Sequence, residues 1–211
     1  MGTEQLGLRL FALIGLLALC GCAGQSTSDA RGWYGNQDGV APQNAKVYIC
    51  HGFGCTYKTP INYSRKDLNR IRSILASGRS SPAAERKAIG KAVQWQERRV
   101  AAQVGSQNDV GGFDAENSRK PGQMDCIDES TNTTSLLLIA EKNGFLKHHK
   151  VSSPVARGFL LDGRYPHATA TVTEKKTGTA YAIDSWVRAN GAKPDIMPLA
   201  KWMEEGSRLG S

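Results

Sequence analysis

The sequence predicts an α+β domain in which N-terminal helices pack on a C-terminal antiparallel sheet. Apolar residues recur at helical spacing between Ser64 and Gly105, and β-branched residues alternate after Lys150. A polar five-residue stretch, Glu174 to Gly178, separates two of the strand-like runs in the manner of a hairpin loop.

The helices come first. Ser64 followed by Asp67 has the form of an N-terminal cap, and Leu68, Ile71, Ile74 and Leu75 then form one apolar stripe that stops at Gly78. Ser81-Pro82 starts a second helix, because proline suits the first helical turn. Ile89, Val93, Val100 and Val104 mark its apolar side up to Gly105, and its charged opposite face predicts packing on one side only. Residues 106–122 are polar and contain three glycines and a proline, which makes them a loop. That loop delivers Cys126 to a third helix, capped by Asp125 or Asp128 and ended by Asn143-Gly144. Leu136 to Ala140 form its apolar part, whereas Ser130 to Ser135 are poor helix formers.

Strands are expected over Val151 to Val155, His167 to Thr173 and Thr179 to Asp184, with a last helix from about Pro198 to Glu205. If Lys175 to Gly178 are the loop, Glu174 opposes Thr179 and Asp184 faces Thr169, one diagonal step from His167. If the loop is Lys175-Lys176 alone, His167 faces Asp184 directly. Either register puts the two side chains on one face of the sheet.

The first residues read as an export leader. Arg9 precedes an apolar run from Leu10 to Leu19, too short to span a bilayer, and Leu19-Cys20-Gly21-Cys22 follows. That ending resembles the bacterial lipobox, which implies a signal peptide over residues 1–21 and lipidation of Cys22. The Gly-, Ser-, Asp- and Asn-rich stretch over residues 22–45 is expected to be a flexible tether, and residues 46–211 a single domain.

Export decides how the five cysteines are read, since disulfides persist in oxidising compartments. Cys50 and Cys55 enclose His51-Gly52-Phe53-Gly54, whose glycines permit a turn tight enough for a disulfide; two free thiols or a metal site are the alternatives. Cys126 is then left without a partner. The formal net charge of +8 arises from cations spread from Lys46 to Arg208, read as a solvated surface, and no nucleic-acid module is recognisable.

Cysteine, histidine and aspartate in that order suggest a nucleophile, its base and an orienting acid. A thiolate attacks carbonyl carbon, a neighbouring histidine takes the thiol proton, and a helix N-terminus favours the anion. Cys126 is the candidate nucleophile, His167 the base, Asp184 the acid and Gln123 an oxyanion donor beside the Cys126 N–H.

The segment Asp125-Cys126-Ile127-Asp128, followed by a helix, by His167 opening a strand and by Ile183-Asp184 closing the next, resembles the transglutaminase-like cysteine peptidase superfamily, in its bacterial periplasmic branch. The likeness covers roughly residues 64–186. It implies a papain-like core, a protein or peptide substrate in the cell envelope, and hydrolysis through a thioester by a lipid-anchored, periplasm-facing peptidase or amidase. Met124 stands where that branch usually has glycine, and no aromatic residue follows Cys126 as in crosslinking transglutaminases. No cofactor is required on this reading; calcium occurs in some relatives, with no ligand set recognisable in this chain. Ala23 is not the inner-membrane retention aspartate, which favours the outer membrane. Two other readings stand beside this one: a catalytically silent lipoprotein that uses the same fold for binding or scaffolding, and a metal site built from Cys50, His51, Cys55 and either His148 or His149.

Overall fold

The computed structural model describes residues 29–158 and 166–205. The export leader, Cys20 and Cys22 lie outside the described residues.

The elements run α1 (Arg31–Asn36), β1 (Lys46–His51), β2 (Tyr57–Asn62), α2 (Arg65–Ala76), α3 (Pro82–Val104), α4 (Cys126–Lys142), β3 (His149–Arg157), β4 (His167–Glu174), β5 (Ala180–Asp184), β6 (Asp195–Pro198) and α5 (Leu199–Glu204). Among the described residues they form two antiparallel sheets, the hairpin β1-β2 and a four-stranded sheet in the order β3-β4-β5-β6. This is an α+β architecture, although strands also precede the helices, because the β1-β2 hairpin lies upstream of α2.

Helix starts follow their caps. Ser64 and Asp67 form a reciprocal capping box on α2. Ser81 accepts the Ala84 N–H with Pro82 at the first position of α3, and Gly105 closes that helix at φ 84°. On α4, Asp125 and Asp128 are both used: each side chain accepts the other's backbone N–H. The capping reading left a choice between two residues that in fact act together.

α4 runs through the centre of the molecule, against β4 on one side and β1 on another. Leu136, Leu137 and Ile139 join Val47, Ile49, Ile71, Leu75, Ile89, Val93, Val172 and Ile183 in the main core. Its weakly helical residues Ser130 to Ser135 are all buried. Their hydroxyl and amide groups bind other elements, so tertiary hydrogen bonds compensate for low intrinsic propensity. Trp33 Nε1 donates to Thr131 Oγ1 at 2.8 Å, and the Tyr34 hydroxyl meets Ser135 Oγ at 2.8 Å. Asn132 accepts the Cys50 N–H at 2.7 Å and donates to the Cys50 carbonyl at 2.9 Å.

Two consequences differ from the sequence reading. Residues 29–44, within the stretch whose composition suggests a tether, include α1, and its Trp33 and Tyr34 are buried on α4. The packed body therefore begins upstream of Lys46. Helix α3 also packs on more than one side, since it meets α2, α4, β2 and β6 and buries Glu85, Gln96 and Glu97.

Candidate active site

Cys126 is the first residue of α4, and its capping box is gripped from outside by the 50–55 loop. Cys50 and Cys55 are joined in a disulfide. Between them Gly52, Phe53 and Gly54, then Cys55 itself, all take positive φ, which turns successive N–H groups to one side. The Phe53 and Cys55 N–H groups donate to Asp128 at 2.8 and 2.7 Å, and Gly54 N–H donates to Asp125 at 3.0 Å. His51 accepts the Gly122 N–H on Nδ1 at 3.1 Å, so its proton lies on Nε2 and is donated to Thr59 Oγ1. The disulfide loop thus fixes the residues on both sides of the thiol.

His167 opens β4 and Asp184 closes β5. Their strands take the register in which Ala170 opposes Ile183, which follows from the longer of the two hairpin loops. In that register the pair is diagonal, and His167 Nε2 donates to Asp184 Oδ2 at 2.6 Å. Trp202 Nε1 on α5 donates to the same oxygen at 2.8 Å. The His167 ring is packed between Trp186 and Trp202, with ring centroids 4.5 and 5.3 Å away. With the proton on Nε2, the neutral ring carries its lone pair on Nδ1, the form a general base requires. That Nδ1 is buried and has no hydrogen-bond partner among the described residues.

Cys126 packs with Trp33, Ala168 and Trp186 in one cluster, so the thiol lies beside the residue that follows His167 and beside the tryptophan stacked on its ring. The Ala168 N–H lies close enough to the sulfur to favour its anion, but the sulfur is not hydrogen-bonded to His167. Burial pushes the Cys126 thiol up to about 12; the Ala168 N–H opposes this, while Asp125 and Asp184 add to it. The resting thiol is therefore neutral at physiological pH, against the expectation that the helix N-terminus alone would favour the thiolate. Only 7% of Cys126 is exposed.

Gln123 is half-buried, and its backbone carbonyl accepts the Gly52 N–H at 2.6 Å. Its side chain makes no hydrogen bond among the described residues, so its visible role is to anchor the disulfide loop. Donors already close to the sulfur are the N–H groups of Ala168 and of Cys126 itself.

Beneath the site lies a set of buried carboxyls that the sequence reading did not single out. Asp109 accepts the Met124 N–H at 2.8 Å, and burial pushes it up to about 7. Glu129, one turn after Cys126, accepts from Ser185 Oγ at 2.7 Å, and burial pushes it up to about 7. Ser185 follows Asp184, so Glu129 ties the nucleophile's helix to the end of β5. Nothing in local sequence pattern marks these acids, since polar residues of loops and helices are usually solvated.

The alternative metal set is not assembled. The Cys50 and Cys55 sulfurs are bonded to each other, His148 contacts the Arg79 carbonyl, and His149 Nδ1 donates to buried Glu85 at 2.8 Å. Among the described residues, the one group of acid, cysteine or histidine atoms close enough to share an ion is Cys50, Cys55 and Asp128. Asp125 and Asp128 direct their oxygens to the backbone N–H groups of residues 53–55 and of each other.

No helix among the described residues is long and apolar enough to cross a membrane. No protein-family model, curated protein or solved structure matches this chain.

Proposed function

We propose that this chain is a cysteine-dependent hydrolase of peptide or amide bonds, with Cys126 as nucleophile, His167 as base and Asp184 as orienting acid. The carrying observation is the His167–Asp184 hydrogen bond through Nε2, which leaves Nδ1 buried and unpartnered beside the cluster that holds Cys126. A nucleophile at a helix start, with histidine and aspartate on adjacent antiparallel strands, supports a papain-like, transglutaminase-like core.

The chemistry balances with these groups alone. His167 Nδ1 takes the thiol proton as the sulfur attacks the carbonyl carbon, and then gives it to the departing amine as the C–N bond breaks. Water, deprotonated by the same nitrogen, attacks the thioester, and the carboxylic acid leaves as the thiol is restored. The burial that makes the free thiolate costly favours concerted proton transfer over a standing ion pair.

Export and lipid attachment at Cys22 belong to the same proposal, which places the substrate, a protein or peptide, in the cell envelope. The apolar leader with its Cys22 ending and the Cys50–Cys55 disulfide support that placement. The second reading, a silent binding module, is favoured by the neutral, nearly covered thiol and by the lack of a Cys126–His167 hydrogen bond.

A set of short peptide acyloxymethyl ketones, varied in the residue next to the reactive group, separates the two. The hydrolase is expected to be modified at Cys126 with saturable kinetics and with a preference among the peptides, read by intact mass. Modification that is slow, unsaturable and indifferent to the peptide supports the silent module.

A further inference from the structure

Positive charge is concentrated in one stretch of this chain, and the fold removes the acids that would offset it. Residues 63–105, essentially α2 and α3, carry ten of the 27 Lys and Arg but three of the 19 Asp and Glu, which is +7 of the net +8. All three acids are withdrawn from solvent. Asp67 is held by Arg99 at 2.9 Å, Glu85 accepts the N–H groups of Lys147, His148 and His149, and Glu97 accepts from Gly191 N–H. They are 7, 0 and 8% exposed, respectively. The solvent face of the helix pair therefore presents cations with no carboxylate among them.

The cations converge on two grooves. One, of about 430 Å3, lies between α2 and α3 and is lined by Arg70, Lys91, Arg98 and Arg99 around Trp95. The other, of about 510 Å3, lies between the start of α3 and β6 and takes in Arg86, Lys87, Lys193 and Lys201; its one carboxylate, Asp195, is paired with Arg188, while Arg86 is paired with Glu174 and Lys201 with Glu205. Lys87 and Lys91 are one helical turn apart, so the grooves follow each other along α3. The side chains of Arg70, Lys87, Lys91 and Lys193 make no hydrogen bond or ion pair among the described residues. Packing does not explain them.

We propose that this face is a docking surface for an extended acidic polypeptide segment of a partner protein. A lipid surface fits less well. The cations line concave grooves, and the large apolar side chains exposed among the described residues, Tyr57, Val110, Phe113, Val187 and Met203, all lie off α2 and α3. A polypeptide also suits the second groove because β6 is the edge of the sheet, and among the described residues its backbone hydrogen-bonds only to β5. Pro194 and Pro198 bracket that edge, so strand pairing is short and the side-chain charges select the ligand. The surface is independent of the cysteine chemistry and holds whether or not Cys126 is a nucleophile.

Fluorescence anisotropy tests this with a labelled dodecapeptide of alternating Asp and Glu, a Gln/Ser peptide of the same length, phosphatidylglycerol vesicles and inorganic polyphosphate. The acidic peptide is expected to bind, the Gln/Ser peptide not to, and the affinity to fall at least tenfold between low and physiological salt. The R70E/K87E/K91E/K193E chain should lose at least tenfold in affinity with an unchanged urea midpoint; should it unfold, K87Q/K91Q should lose at least threefold. Absence of acidic-peptide binding, equal binding by a folded variant, or binding of vesicles or polyphosphate in its place overturns the proposal.

Discussion

Glu97→Gln should make this protein more stable at alkaline pH while leaving it nearly unchanged in acid. Glu97 lies on α3 with Oε2 accepting the Gly191 N–H at 2.5 Å, while Oε1 is buried without a hydrogen-bond partner among the described residues. Burial and the facing Glu129 push its carboxyl from 4.5 up to about 9. In the unfolded chain the same group titrates near its ordinary value, so between those two pH values the folded state holds a proton that the unfolded state has released. A carboxyl raised in this way contributes its full stability below the unfolded value and loses it as pH rises toward the folded value. Each unit costs about 1.4 kcal/mol, so from pH 5 to pH 8 one such group costs up to about 4 kcal/mol, or about 2 to 3 after local relaxation. Glutamine keeps an oxygen for Gly191 and cannot ionise, which removes this share of the slope. Glu129 and Asp109 are raised in the same sense and leave a residual slope. Urea midpoints followed by tryptophan fluorescence at pH 5, 6.5 and 8 measure the effect. Parallel pH profiles for the two chains, or a variant equally destabilised at every pH, would refute the reasoning.

Asp128→Ala removes the acceptor of two loop N–H groups and one arm of the capping box, and should cost about 3 kcal/mol in chemical denaturation. Cys50→Ser with Cys55→Ser opens a loop of sequence separation 5, for which chain entropy predicts a loss of about 2 kcal/mol in urea. Trp202→Phe keeps an aromatic ring against His167 but deletes the donor to Asp184, so inactivation of Cys126 should slow several-fold with its pH profile displaced; an unaltered profile would make Trp202 a packing residue only.

Several of these elements were legible because their signals are local. Caps at Ser64, Ser81 and Asp125 mark helix starts, and the Glu174 to Gly178 loop restricts the hairpin to two registers, one of which is found. The disulfide followed from two cysteines spaced around glycines. The β1-β2 hairpin is not legible in the sequence although Val47 and Ile49 alternate inward, because its connection is a disulfide-closed turn rather than a short hairpin loop and Pro60 falls within β2. Proline is tolerated there since β2 is the edge of a two-stranded sheet. α1 was hidden by its polar setting. What orders it are Thr131 and Ser135, about 100 residues away, which no local pattern can supply. The excess of cations over residues 63–105 stands in the sequence, but the burial of the three acids among them does not.

For the candidate site, sequence order supplied the three side chains and the fold supplied the pairing of two of them. The step that joins Cys126 to His167 is tested most directly by the pH dependence of peptide acyloxymethyl ketone inactivation in the wild-type and His167→Ala chains. If His167 is the base for Cys126, the wild-type rate exceeds the variant at least a hundredfold near pH 7, and the variant gains only at strongly alkaline pH, where its buried thiol ionises. Superimposable profiles for the two chains would contradict the account and leave Cys126 a buried thiol beside an unrelated His–Asp pair.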